Sequence, residues 1–300
     1  MATVNRQITL AARPVGFPKV SDFALVYGPL PAPAEGEVLV RSIYLSLDPY
    51  MRGRMDDAES YARPVAIGEV MPGGAVASVV ASNDPALGVL GLPGLTAYFG
   101  LLDICEPRPG ETVVVSGAAG GVGMIVGQIA KFRGCHVVGV ARPDAEISWL
   151  VDELGFDAAL NYRTEADLHA RLEEHCPDGV DVYFDNMGGV VTDAVVRRLR
   201  PGARISVCGQ LSQDNLVAPE TGPRWLSQLV VKQAKVQGFL VSSFAERFPE
   251  GLERLAGWFT QGRLGYREDV ARGLEAAPQA FIGMLQGKNQ GKQLVHLSDS

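Results

Sequence analysis

The stretch Thr112-Val-Val-Val-Ser-Gly-Ala-Ala-Gly-Gly-Val-Gly123 decides how the chain is read. A run of β-branched residues ends in a loop, and Gly117, Gly120 and Gly123 of that loop precede a helical pattern over 122–133. Small residues let a backbone approach a pyrophosphate, and unpaired N–H groups at a helix start favour its negative charge. Between a strand and a helix, this spacing predicts a Rossmann dinucleotide site.

Downstream, strands alternate with amphipathic helices, the pattern of parallel βαβ units. Strands are expected at 112–116, 136–141, 158–161, 180–185, 204–208 and 236–241, and helices at 122–133, 147–154, 166–175 and 189–199. That is enough for a doubly wound parallel sheet, so the fold class is α/β. Upstream, residues 1–87 read as short strands punctuated by Pro and Gly, with 37–44 alternating. A helix is expected at 95–104 and a turn at 106–110. Helices at 248–259 and 278–285 and a strand at 292–297 close the chain. The expected domains are a β-rich N-terminal one over 1–105, completed by about 270–300, and a Rossmann domain over 106–269.

The second strand of the Rossmann pattern ends at Ala141-Arg142, without the acidic residue that holds a ribose 2′-hydroxyl in NAD sites. Arg142 offers a cation for a 2′-phosphate instead, with Tyr162 as a second contact, so NADPH is the expected cofactor. Asp144 and Glu146 stand close by and oppose that reading. A solvated Arg142 is the alternative.

The formal charge of −7 and pI near 5.2 argue against nucleic acid and anionic membrane surfaces as partners. The first residues lack the apolar core of a secretory signal. Cys105, Cys135, Cys176 and Cys208 form no C-x-x-C pair, which suits a reducing, cytoplasmic setting. No histidine precedes His136, so the first hundred residues cannot build a Cys/His zinc site, and hydride chemistry is expected to proceed without zinc.

Together with the glycine loop, Leu47-Asp-Pro-Tyr-Met-Arg-Gly53, Leu92-Pro-Gly-Leu-Thr-Ala-Tyr98, Tyr183-Phe-Asp-Asn-Met-Gly-Gly189, Ile205-Ser-Val-Cys-Gly-Gln210, Val236-Gln-Gly-Phe239 and Asn289-Gln-Gly-Lys292 span nearly the whole chain. In these motifs and their order the chain resembles the zinc-free medium-chain dehydrogenase/reductases, in the group of prostaglandin reductase, leukotriene B4 12-hydroxydehydrogenase and curcumin reductase. The resemblance implies a GroES-like N-terminal domain, a Rossmann cofactor domain and substrate in the cleft between them. It implies NADPH-dependent reduction of the carbon–carbon double bond of α,β-unsaturated ketones or aldehydes, of the alkenal or 15-oxoprostaglandin 13-reductase type. Gly120, Gly121, Val122 and Gly123 would meet the pyrophosphate, Tyr162 the 2′-phosphate end, and Asn186 the ribose and nicotinamide. Cys208, Gly209, Phe239, Leu240, Val241 and Asn289 would complete the cofactor site. A homodimer through the edge of the Rossmann sheet is a further implication. A quinone reductase and a non-catalytic NADPH-binding module are the alternatives.

This sequence departs from the group at three places. Glu146 stands where a lysine often serves the 2′-phosphate, and Asp214 stands where a tyrosine often lines the substrate pocket. Between Pro85 and Gly88 relatives carry a few dozen additional residues. The chain is either naturally shortened there or lacks an internal segment, and the exposed edges that a loss of barrel strands would leave favour the second.

Tyr50 is the expected catalytic residue, since its hydroxyl can hydrogen-bond a substrate carbonyl and stabilise an enolate. A partly buried packing role is its alternative. Arg52 is read either as a guide for an anionic substrate tail or as an exposed, solvated arginine. Cys208 is expected to act through its backbone and small size, and His169, His175 and His296 have no catalytic partner at a recognisable spacing.

Overall fold

In a computed structural model, which describes residues 4–30, 41–58, 60–78, 91–142 and 144–297, the chain opens with β1 (Asn5–Leu10), β2 (Phe23–Gly28), β3 (Arg41–Ser46), the single turn α1 (Tyr50–Gly53) and β4 (Ala75–Ser78). It continues through α2 (Leu92–Leu102), β5 (Thr112–Ser116), α3 (Gly123–Phe132), β6 (His136–Ala141), α4 (Asp144–Asp152), β7 (Ala158–Asn161), α5 (Leu168–His175), β8 (Val180–Asp185), α6 (Gly189–Val196) and β9 (Leu199–Val207). Then come α7 (Leu226–Lys232), β10 (Lys235–Gly238), α8 (Phe248–Thr260), β11 (Glu268–Arg272), α9 (Ala277–Leu285) and β12 (Lys292–His296). Contacts divide the chain into two units, Met1–Gly88 with Asp214–Val217 and Glu268–Ser300, and Val89–Gln213 with Ala218–Arg267.

The second unit is built on a six-stranded sheet in the order β10-β9-β8-β5-β6-β7, with every pair parallel. Side chains alternate across a strand, so a strand covered on both faces must be apolar throughout. That is why Thr112–Ser116 is buried along its whole length. Val113, Val115 and Phe184 face α2, α3 and α8, packing with Phe99, Ile125 and Leu255. Val114, Val138 and Tyr183 face the other layer and pack with Leu172, Val191 and Val195 of α5 and α6. The chain order reverses between β5 and β8, which creates the crevice at which open α/β sheets bind ligands.

The first unit holds the antiparallel pair β1–β2 and a second sheet, β11-β12-β3-β4. β12 pairs antiparallel with β3, so the chain's last strand completes the N-terminal sheet. Leu10, Leu47, Met51, Met55, Phe281 and Val295 form its core.

The observed division differs from the expected boundary at 105. The apolar residues of α2, among them Leu95, Phe99 and Leu101, are buried with α3 and α8, which assigns this helix to the second unit. β9 begins at Leu199 and not near 204, because Leu199 already pairs with Val180 and a register shift precedes the Val182–Arg204 pairing. β10 stops at Gly238, which leaves 239 and 240 as connecting chain before a 3₁₀ turn that starts at Val241. The Pro85–Gly88 junction lies outside the described residues. No helix among the described residues is long and apolar enough to cross a membrane.

Candidate active site

Parallel strands deliver their carboxyl ends to one edge of the sheet, so whatever follows them is gathered on a common rim. The glycine loop follows β5, Arg142 follows β6, Tyr162 β7, Asn186 β8, Cys208 and Gly209 β9, and Phe239, Leu240 and Val241 β10. Every cofactor residue expected from the sequence therefore lies on this rim except Asn289, which with Tyr50 belongs to the first unit.

Gly117 adopts φ +59°, which favours glycine, and its carbonyl accepts the N–H of Gly120 at 3.0 Å. A Cβ on Gly120 would stand 3.3 Å from that oxygen, and one on Gly123 would collide with it. The loop can thus turn tightly onto α3 only with glycine at 123, and it leaves little room for a side chain at 120. The N–H groups of Gly121 and Val122 find no backbone acceptor among the described residues. This cradle at the start of a ten-residue helix fits a pyrophosphate.

Asn186 is buried, and its amide nitrogen donates to the Ser116 carbonyl at 2.6 Å. Its backbone N–H donates to Ser116 Oγ at 2.9 Å. The N–H groups of Cys208 and Gly209 donate to the Asp185 carbonyl at 2.8 and 3.1 Å. Burial pushes the Cys208 thiol up to about 12, so it is no nucleophile near neutral pH. The Phe239 ring stands edge-on to Phe184, and a Cβ on Gly100 would run into it, so the ring packs against the core at this end of the sheet. Leu240 is largely exposed, and Val241 starts a short 3₁₀ turn.

At the far end of the rim, the Arg163 guanidinium sits 5.6 Å from the centre of the Tyr162 ring. Arg142 is half-buried at the tip of β6. Asn161 Nδ2 donates to Asp144 Oδ1 at 2.5 Å. Glu146 is buried, and that burial pushes its carboxyl up to about 7 against the pull of Arg267 and Arg142. In the first turn of α4 this carboxyl changes charge through the neutral pH range, within electrostatic reach of Arg142.

In the first unit, Lys292 Nζ donates to the Leu47 carbonyl at 2.6 Å and to Asp48 Oδ1 at 2.7 Å, and Ser46 Oγ donates to Asp48 Oδ2 at 2.6 Å. These bonds pin the turn that carries Tyr50. The Tyr50 hydroxyl is held above the usual phenol range by burial first, then by Asp48 and Tyr61, with Arg54 opposing. It therefore remains a proton-bearing donor near neutral pH. Arg52 is neither solvated nor open to a substrate. It is 3% exposed, with Nη1 on Asp56 Oδ1 at 2.7 Å and Nη2 on the Gly16 carbonyl at 3.0 Å. Asn289 Nδ2 donates one N–H to the Gly291 carbonyl at 2.7 Å. Lys292, Ser116 and Asp185 escaped the sequence reading. All three lie inside quoted stretches, but only tertiary contacts show what they hold.

Residues 6–92 match the family model described as the N-terminal domain of oxidoreductase, and residues 121–257 match the one described as zinc-binding dehydrogenase. The chain is 41% identical to the NADPH-dependent curcumin reductase of Escherichia coli, an alignment covering 98% of this chain and 97% of that one. It is 39% identical to the NADP(+)-dependent 2-alkenal reductase of Nicotiana tabacum, over 98% of this chain and 97% of the relative. The crystal structure of CurA from Vibrio vulnificus in complex with NADPH superposes with a TM-score of 0.93 at 44% identity, covering 99% of this chain and 100% of that one. The chain belongs to the curcumin and prostaglandin reductase group of the medium-chain dehydrogenase/reductases.

The alignment with the Escherichia coli relative runs over 336 positions against the 300 residues of this chain, so that member of the group carries a few dozen positions without counterpart here. The zinc in the family model's description does not suit this member's donors. Among the described residues no three of His, Cys, Asp and Glu come together as a metal site.

Proposed function

We propose that this protein reduces the carbon–carbon double bond of α,β-unsaturated ketones or aldehydes, using NADPH. The observation that carries the reading is likeness along nearly the whole chain to an NADPH-dependent curcumin reductase and a 2-alkenal reductase, joined to a rim whose glycine cradle fits a pyrophosphate. When bound, NADPH supplies a hydride for the β-carbon of the enone. Gly120, Gly121, Val122 and Gly123 hold the pyrophosphate, Arg142 and Tyr162 the 2′-phosphate, and Asn186 the nicotinamide ribose. The backbone of Cys208 and Gly209, the segment Phe239, Leu240 and Val241, and Asn289 complete the site. The Tyr50 hydroxyl donates a hydrogen bond to the substrate carbonyl, which gains negative charge as the enolate forms, and solvent then protonates the α-carbon.

The test is steady-state NADPH consumption with an enone and with a quinone. The expected result is a higher kcat/KM for the enone, and turnover of the quinone alone would overturn the reading. Tyr50→Phe keeps the ring, so kcat and kcat/KM should fall together by about tenfold to a thousandfold while NADPH still binds.

We also propose that two copies associate along β10. It is an edge strand with Val236 partly exposed, and the neighbouring α7 exposes Leu226, Val230 and Val231. An uncovered edge beside an apolar helix face invites a second copy. Light scattering should give a dimer mass that Val230→Glu halves. Free thiols at Cys105, Cys135, Cys176 and Cys208 suit a reducing cytoplasm.

A further inference from the structure

Within a few residues of the end of β8 the chain must leave the middle of the sheet and enter α6. Gly188 and Gly189 both take left-handed conformations there, at φ 69° and 56°. At the head of this turn stands Asp185, 1% exposed. A buried carboxylate is costly unless hydrogen bonds replace its water, and here they do so fully. Oδ1 accepts from Ser116 Oγ at 3.1 Å, the Tyr183 hydroxyl at 2.9 Å, and the N–H groups of Met187 and Gly188 at 3.0 and 2.9 Å. Oδ2 accepts from Thr192 Oγ1 at 2.7 Å and Gln210 Nε2 at 3.1 Å. The donors come from β5, β8, the turn itself, α6 and the turn after β9.

The same knot sets Asn186. Ser116, held by Asp185, accepts the backbone N–H groups of Asn186 and Met187 on its hydroxyl and the Asn186 side-chain amide on its carbonyl. One N–H of Nδ2 is thereby committed, which fixes the plane of the Asn186 amide and with it the direction of Oδ1. The turn also lies against the glycine loop: a Cβ built on Gly117 would stand 3.3 Å from Asn186 Cβ and 3.7 Å from Met187 Cγ. A carboxylate that gathers charge-assisted bonds from all these segments fixes their spacing more tightly than neutral pairs would.

We propose that Asp185 is a positioning residue for the bound cofactor: its carboxylate clamps the 185–189 turn and the Cys208–Gln210 turn to the glycine loop, and so presents Asn186 Oδ1 to the nicotinamide-ribose end. This rests on the reading that the rim binds NADPH. Asp185→Asn preserves shape but turns an NH2 group toward groups that themselves donate. The nicotinamide half then loosens while the 2′-phosphate end, held near Arg142 and Tyr162, stays as it was.

The experiment measures dissociation constants of NADPH and of adenosine 2′,5′-bisphosphate, which lacks the nicotinamide half, for the wild type, Asp185→Asn, Asn186→Ala and the double variant. In Asp185→Asn the NADPH constant should rise about tenfold to a hundredfold and the bisphosphate constant less than threefold, the pattern of a lost contact at one end of the ligand. In the Asn186→Ala background Asp185→Asn should add little, because Asp185 acts through Asn186. Gln210→Met, which removes one donor and leaves the carboxylate, should move the NADPH constant in the same direction by about threefold, and it decides the matter if Asp185→Asn does not fold. Equal losses for both ligands, additive effects in the double variant, or unchanged NADPH binding in a folded variant would overturn the assignment. A wild type that fails to bind NADPH at all would sink the proposed function itself, a result distinct from these.

Discussion

Replacing Asp214 with asparagine should stabilise the protein at neutral pH and do almost nothing in acid. Asp214 lies in the short stretch Asp214–Val217 that packs with the first unit. Burial, reinforced by the Asp56 carboxylate and opposed by the Arg52 guanidinium, pushes its carboxyl from 3.8 up to about 6. The folded chain therefore binds this proton more tightly than the unfolded chain does. Well below pH 3.8 both states are protonated and the site costs nothing. As pH rises from about 4 to 6 the unfolded state ionises first, stability falls, and the loss is complete above the folded value. At 1.36 kcal/mol per unit the shift corresponds to about 3 kcal/mol, and partial contact with water brings the expectation to about 2 kcal/mol. Asp214→Asn should return that amount at pH 7.5, seen as a rise of several degrees in Tm at about 2–4 °C per kcal/mol. Thermal unfolding of both proteins at pH 4, 6 and 7.5 is the assay. A variant no more stable at pH 7.5, or a gain of the same size at pH 4, would refute the reasoning.

Gly120→Val should abolish NADPH binding, measured by fluorescence titration, while the unfolding transition persists, because the side chain enters the pyrophosphate's path. Arg142→Glu should weaken NADPH at least tenfold more than NADH, and equal losses would remove Arg142 from the 2′-phosphate site. Glu146→Gln should tighten NADPH severalfold at pH 8 and leave it unchanged at pH 6, since the Glu146 carboxyl titrates at about 7 and is neutral on the acid side.

The strands at 112–116, 136–141, 158–161 and 180–185 were legible to the residue because burial on both faces forces continuous apolar runs bounded by turn residues. β9 was not, since Pro201 and Gly202 read as a turn and only pairing with Val180 keeps Leu199 in the sheet. β11 was invisible: Glu268–Arg272 carries charges at both ends and owes its strand form to parallel pairing with β12. At the site, the glycine loop is local chemistry and could be read directly. Arg52 could not, because its burial depends on the distant carbonyl of Gly16. Asp185 sat unnoticed beside Asn186 for the same reason, its donors coming from β5, α6 and the turn after β9.

Transfer of deuterium to an enone from NADPH labelled at C4 of the nicotinamide, on each face in turn, distinguishes carbon–carbon from carbonyl reduction. Hydride transfer to the enone should give a saturated ketone with its carbonyl intact and deuterium at the β-carbon, delivered from one face only. Deuterium at the former carbonyl carbon of an allylic alcohol, or product without label from either face, would contradict it.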